Sequence, residues 1–284
     1  LSAIVPAVAS QNPAIPVTAN TGTLRRASAA LKASATFWLV IAIFGEWAFL
    51  IFIVAFYGST ALTGHFEAWT KNTILPKGYI AGDTTGNMFF ATHTLIAAVV
   101  AFGGVLQLMP KLRVRFPAFH RWNGRVFLTA IFAASLSGMT MNWWRETSTV
   151  AISINGLLIF LFAWLAWRAA RQRDVAVHRR WAMRTFMVAG GVWFLRLGFF
   201  AWFIFPKGVL KLPDGFHTVF NTLWPFGSYV LPLVILELYL RATASDSARF
   251  KFLAATTLTL STLFMAVGVF AAAAFLWMPL IAKL

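Results

Sequence analysis

Long apolar runs alternate along the chain with short segments that hold most of its Lys and Arg. The runs cover about Phe37–Phe56, Met88–Met109, Val126–Trp143, Val150–Trp167, Ala182–Phe205, Thr218–Leu240 and Phe252–Ile281. A helix needs roughly 20 residues to cross the hydrocarbon core. The pattern therefore predicts about seven transmembrane helices, the last long enough to tilt or break near Gly268. The runs are continuous rather than alternating, which argues against a β-barrel. The expected fold is an all-α integral membrane protein with a central helical bundle. Residues 36–284 form its single transmembrane domain, and 58–87 form an outer loop lying on the membrane face. The Ala/Pro/Asn-rich stretch 1–35 is expected to be a loose or interfacial tail. It lacks the basic segment followed by an apolar core that marks a signal peptide.

Composition agrees with this class. The chain is 60% hydrophobic and 11% charged, against roughly a quarter charged in soluble domains. It has no Cys, which excludes disulfides, Cys-ligated zinc and iron–sulfur clusters. The net charge of +16 does not point to nucleic acid, because the basic residues sit between membrane spans. Seventeen of the 24 Lys and Arg fall on one side of the predicted topology. The positive-inside rule then puts the N-terminus in the cytoplasm and the C-terminus outside, in a bacterial inner membrane with anionic lipid at the basic face.

Ionisable groups within a bilayer are costly and mark candidate sites. Glu46 lies in the middle of the first run, in "FGEWAF", and Arg196 deep in the fifth, in "WFLRLGFF". Glu237 and Gln107 are the other intramembrane polar candidates. An ion pair between Glu46 and Arg196, or a bond from Arg196 to a backbone carbonyl freed near Pro225, is the structural expectation for these groups. At about 100° per residue, His93, Ala97, Gly104 and Gln107 share one helix face. His120, Gly124, Gly138 and Asn142 share another, and His178 and Arg196 a third. Small residues beside polar ones mark faces packed on other helices.

Two related passages, "FHRWNGRVF" at Phe119 and "VHRRWAMRTF" at Val177, begin helices on the same side. They bring His120 and His178 to one depth, while His93 and His217 lie towards the other surface. Two level imidazoles can bind haem b axially, with Arg121, Arg125, Arg179 and Arg184 meeting its propionates. His120 and His178 are thus candidate metal ligands. Interfacial anchoring, or a phospholipid headgroup held at the helix N-termini, accounts for the same residues.

The order "HTLIAA…GGVLQL…PAFHRWNGRVF", "AVHRRWAMRTF…LRL" and "ILELYL" resembles a bacterial membrane-protein family catalogued as domain of unknown function 2306, over about 88–241. That resemblance implies a fold and no activity. The chain is also similar, more weakly, to diheme membrane cytochromes of the b561 type, which pair histidines on alternate helices of a four-helix core. His120 and His178 match one such site. The second site departs from the pattern, because Val150–Trp167 holds no His to partner His93.

No phosphate-binding loop, HExxH motif or carboxylate cluster is present. The pairs Gly103-Gly104 and Gly190-Gly191 read as packing features. Pro225 and Pro232, in "LWPFGSYVLPL", could break a helix as in transporters. Three functions follow: a b-type haem electron-transfer protein, a non-catalytic subunit of a larger respiratory or photosynthetic membrane complex, or a small-molecule or lipid transporter using Glu46, His93 and Arg196.

Overall fold

The structure, a computed structural model, describes residues 18–72, 78–146, 149–208 and 214–284. The first seventeen residues of the expected tail, Lys77 of the outer loop and Lys211 lie outside these. Helix α1 spans Thr18–Phe52 and passes through a π-helical turn, Ile53–Gly58, into the short α2, Ser59–Leu62. A 3-10 turn at Phe66–Lys71 precedes α3 (Thr84–Leu108), α4 (Pro110–Arg115) and α5 (Pro117–Trp144). Then come α6 (Thr149–Arg171), α7 (Val175–Ala189), α8 (Gly191–Gly208), α9 (Asp214–Ala244) and α10 (Ala248–Ala272). A second π turn, Ala273–Trp277, leads to α11 (Met278–Ile281).

Six of these stretches are long and apolar enough to cross a membrane, and α7 with α8 forms a seventh span bent by 49°. The bend falls at Gly190-Gly191. It corrects the sequence reading in two ways: the pair is a break, and the face shared by His178 and Arg196 does not continue through it. Adjacent glycines in a helix are weak points for bending, and a side chain at Gly191 would stand 2.8 Å from Asn155 Nδ2 and 3.2 Å from Tyr229 Cβ. The opposite correction applies to α9, which runs unbroken through Pro225 and Pro232. Helix α10 likewise passes Gly268 intact, and its irregular turn comes later, at Ala273. The helix expected from residue 37 begins at Thr18, and Ala27, Leu31 and Ser34 are buried.

Helices α1, α3, α5, α6, α7/α8 and α10 contact one another in sequence and close a ring, with α9 packed outside against α7, α8 and α10. Small residues let the ring close tightly. A side chain at Gly104 would meet Phe127 at 2.9 Å, and one at Gly138 would meet the His93 ring at 2.9 Å. The two faces predicted for α3 and α5 therefore pack on each other. Outward-facing Phe44, Trp122, Leu136, Trp164, Trp167 and Phe270 are exposed, as lipid-facing residues should be.

Polar groups at the span ends are tied down. Arg145, at the end of α5, donates to Gly78 O (3.1 Å), Asp83 Oδ2 (3.3 Å) and Asn87 Oδ1 (2.8 Å). Asp83 also caps α3 through Gly86 N at 2.9 Å. That amide, with Trp144 and Arg145, holds the Asp83 carboxyl below the usual carboxylate range. Lys251 reaches back to Ala242 O at 3.0 Å, satisfying a carbonyl at the end of α9.

Candidate functional site

The ring of helices surrounds a cavity of about 120 Å³. Aromatic side chains bound it towards both ends. Phe127 and Phe186 lie towards the basic end, with Trp38 packed edge-on against Phe186 at 6.2 Å. Phe49, Phe52, Tyr57 and Trp277 lie towards the other; Trp277 sits 5.5 Å from Phe49 and 6.0 Å from Phe52. Both π turns contribute here, Ile53 and Tyr57 from one and Leu276 and Trp277 from the other. Such turns recur at functional sites, because the extra residue re-aims side chains. Above them the described part of the outer loop is tied to this end: Trp69 Nε1 donates to Thr60 Oγ1 at 2.7 Å, and Asn72 Nδ2 donates to Tyr57 Oη at 2.8 Å.

Between the aromatic layers the walls turn polar. Glu46 from α1, His93 and Thr94 from α3, Ser135 from α5, Asn155 from α6 and Arg196 from α8 all line the cavity. The bend at Gly190-Gly191 begins α8 against this space, five residues before Arg196. Glu46 and Arg196 share the cavity without forming an ion pair, since no nitrogen–oxygen approach within 4.0 Å joins them. Arg196 instead donates Nη1 to Val192 O, one turn back in its own helix, at 3.2 Å and lies over the Phe49 ring at 5.3 Å. The expected partners, Glu46 and a carbonyl near Pro225, are therefore not those the guanidinium takes. His93 Nδ1 is 2.9 Å from Ala134 O. A carbonyl only accepts, so Nδ1 carries the hydrogen and the neutral ring keeps a lone pair on Nε2.

Two further polar atoms complete the set. Asn155 Oδ1 and Trp193 Nε1 are buried and have no hydrogen-bond partner, in residues 5% and 4% exposed. Leaving such atoms unpaired costs about 1–3 kcal/mol each, so they are candidates to meet a ligand or water. Sequence reading missed both. Asn155 had a signal, as an Asn beside Gly inside an apolar run, whereas Trp193 is one of 13 tryptophans.

The other candidates lie elsewhere. Gln107 Nε2 donates to His120 O at 3.2 Å, holding α3 to α5. Glu237 Oε1 accepts from Arg184 Nε at 2.7 Å and Nη2 at 2.6 Å, with the guanidinium over Trp181 at 4.7 Å. Arg121 and Arg125 are exposed. His217 Nδ1 accepts from Trp202 Nε1 at 3.1 Å and does not line the cavity that His93 lines. His178 Nδ1 meets Ala166 O at 2.9 Å, while His120 Nδ1 is buried without a partner. Neither His178 nor His120 lines the cavity, and no bis-His haem site is evident between them. Among the described residues no group of three or more His, Asp or Glu is placed to hold a metal ion.

The fold and its polar interior define a multi-pass helical membrane protein with a cavity inside the bundle. The chain belongs to the family described as "Predicted membrane protein (DUF2306)", whose model matches residues 90–239. That match spans α3 to α9 and takes in His93, Asn155 and Arg196, while Glu46 and the Trp277 turn lie outside it. No curated protein and no solved structure matches the chain.

Proposed function

We propose that the protein binds a small polar or amphipathic molecule in the central cavity and carries it through the membrane. One observation supports this most: Glu46 and Arg196 share a mid-bundle cavity without pairing. Two charges kept only for structure would gain most by joining, since an unpaired guanidinium at that depth costs about 2.5–3.5 kcal/mol even on lenient scales. The unpartnered atoms of Asn155 and Trp193 add neutral hydrogen-bonding capacity at the same place. Aromatic layers on both sides give the arrangement of a site closed in turn to each membrane face.

The test is thermal unfolding of detergent-purified protein against a panel of small acids, amines and neutral amides. At least one compound should raise the Tm of the parent protein and not of Arg196→Leu. The same compound should enter proteoliposomes that contain the protein. A panel without any stabilising compound rejects the reading.

A b-type haem between His120 and His178 is the second reading, favoured by the buried Nδ1 of His120, which has no hydrogen-bond partner. A Soret band lost in both His120→Ala and His178→Ala would support it. A colourless, monodisperse preparation from haem-replete cells would reject it. The subunit reading draws no particular support, because exposed aromatic faces are equally what lipid requires.

A further inference from the structure

We propose that the cavity takes a single-ring carboxylate together with one proton, the carboxylate held by Arg196 and the proton by Glu46. This rests on the binding reading above and names the ligand class and its coupling. Size gives the ring. An engineered cavity of about 150 Å³ holds benzene, and this one, at about 120 Å³, is close to that scale and far too small for a macrocycle. Its walls present the rings of Phe49, Phe127, Phe186, Trp193, Phe200 and Trp277, which suit a flat apolar body.

Charge gives the carboxylate. Among the described residues Arg196 is the only Lys or Arg lining the cavity, and a planar guanidinium matches a carboxylate with two parallel N–H bonds. A dianionic phosphate would leave one charge unmet. The unpartnered Trp193 Nε1–H supplies a further donor for a ligand oxygen. An amine would face the Arg196 charge directly.

Charge also requires the proton. Where Glu46 is ionised it balances Arg196, and the cavity without an anion is then neutral. An added carboxylate would leave one net negative charge in a low-dielectric interior, with two carboxylates competing for one cation. A proton on Glu46 removes that excess. The other titratable groups lining this space are His93 from α3 and Tyr57 from the first π turn. The Tyr57 hydroxyl accepts from Asn72 Nδ2 at 2.8 Å, and His93 already commits Nδ1 to Ala134 O. Neither α6 nor the Leu276–Trp277 turn adds a titratable group to the lining.

The experiment measures benzoate binding to the detergent-purified protein between about pH 6 and 8.5, where benzoate stays ionised because free carboxylic acids titrate near pH 4. Benzamide serves as the neutral isostere and acetate as the ring-free acid. Uptake of one proton makes the benzoate Kd rise about tenfold per pH unit wherever free Glu46 is ionised. Benzamide and acetate should bind at least about tenfold more weakly than benzoate, the loss of one charge-assisted bond or of the ring contacts. Glu46→Gln should keep benzoate and flatten the pH dependence, whereas His93→Gln should retain the slope. Arg196→Gln, if monodisperse, should lose benzoate.

Equal binding of benzamide would overturn the anion class and leave the binding reading standing. A benzoate Kd that does not change with pH in the parent protein would overturn the proton coupling. Both comparisons use the unmodified chain, so an unstable variant cannot shield the proposal. If benzoate fails while another compound of the panel binds through Arg196, the ligand class alone is wrong. If nothing binds, both readings fall.

Discussion

Replacing Gly268 by alanine adds one methyl group where two helices already touch. A Cβ there would stand 2.5 Å from the Leu197 carbonyl oxygen and 3.0 Å from both Leu197 C and Cβ, where ordinary contact begins near 3.4 Å. The obstacle is backbone, so no rotamer change relieves it, and α8 and α10 must separate by most of an ångström. Separation on that scale forfeits a quarter to a half of each affected dispersion contact. The loss extends to the junction beside it, where Gly45 packs on both Trp193 and Val269. Overpacking of this kind costs about 1–3 kcal/mol, here towards the upper end. Alanine recovers up to about 1 kcal/mol by its better helix propensity, leaving a net loss of about 1–2 kcal/mol. Gly22 provides the control, because nothing lies within 4 Å of its Cβ position. Gly22→Ala should therefore stabilise by about 0.5–1 kcal/mol, the usual gain inside a helix. Unfolding in SDS, followed by the fluorescence of the 13 Trp, reads both variants. Two shifts of the same sign, or a Gly268→Ala protein as stable as the parent, would refute the close approach of α8 and α10.

The Arg184–Glu237 pair, with side chains 21% and 36% exposed, lies between surface and buried behaviour. A double-mutant cycle with Arg184→Gln and Glu237→Gln should give a coupling of about 1–2 kcal/mol, and additive losses would deny the pair. The Asp83 carboxyl is held below its ordinary value by the Gly86 amide first, then by Trp144 and Arg145. Its contribution to stability is thus fully present above the ordinary carboxylate pKa of 3.8 and lost as pH falls through the lower folded value. Asp83→Asn should remove that loss from the acid limb of a Tm–pH profile, and an unchanged limb would reject it. Single cysteines at Arg113, Arg173 and Arg249 should label from one membrane side and one at Glu67 from the other, on a chain with no native Cys. Labelling of position 173 from the Glu67 side would overturn the topology.

Helices, spans and the packed faces of α3 and α5 were legible in the sequence because they depend on local periodicity. His93, Gly104, Gly124 and Gly138 lie where 100° steps place them, and the packing of His93 on Gly138 follows from two faces read separately. The cavity was not legible, because it depends on which helices become neighbours around a ring. Glu46 lies 150 residues from Arg196, and no spacing rule reaches that far. The bend at Gly190-Gly191 defeated the inference that His178 and Arg196 share a face. The broken span was sought at Pro225 and Pro232, residues that membrane helices accommodate when neighbours and Ser or Thr side chains meet the freed carbonyls.

Where the protein pairs its charges carries more functional information than how many it has. Near the span ends, where water and headgroups would soften the penalty, Arg145 is joined to Asp83, Arg184 to Glu237 and Lys251 to the last carbonyls of α9. In the middle of the bundle, where separation of charge is least favourable, Glu46 and Arg196 stand apart across a cavity with Asn155 and Trp193 unpartnered beside them. A fold selected only for stability would show the reverse order. The same chain that joins its charged groups near the ends leaves a cation and an acid unjoined at its centre beside two unpartnered neutral atoms, one a donor and one an acceptor. Such a set makes few strong bonds with itself at these positions and several with a guest that brings one negative charge, one ring and room for a proton. If Glu46 and Arg196 only balance each other through water, Glu46→Gln with Arg196→Gln should restore the stability that either single change removes, and no benzoate should bind the parent protein. If the pair exists for a ligand, the double variant folds as well but loses benzoate, which the parent and Glu46→Gln both bind, so that binding and stability measured on the same four proteins separate the two accounts.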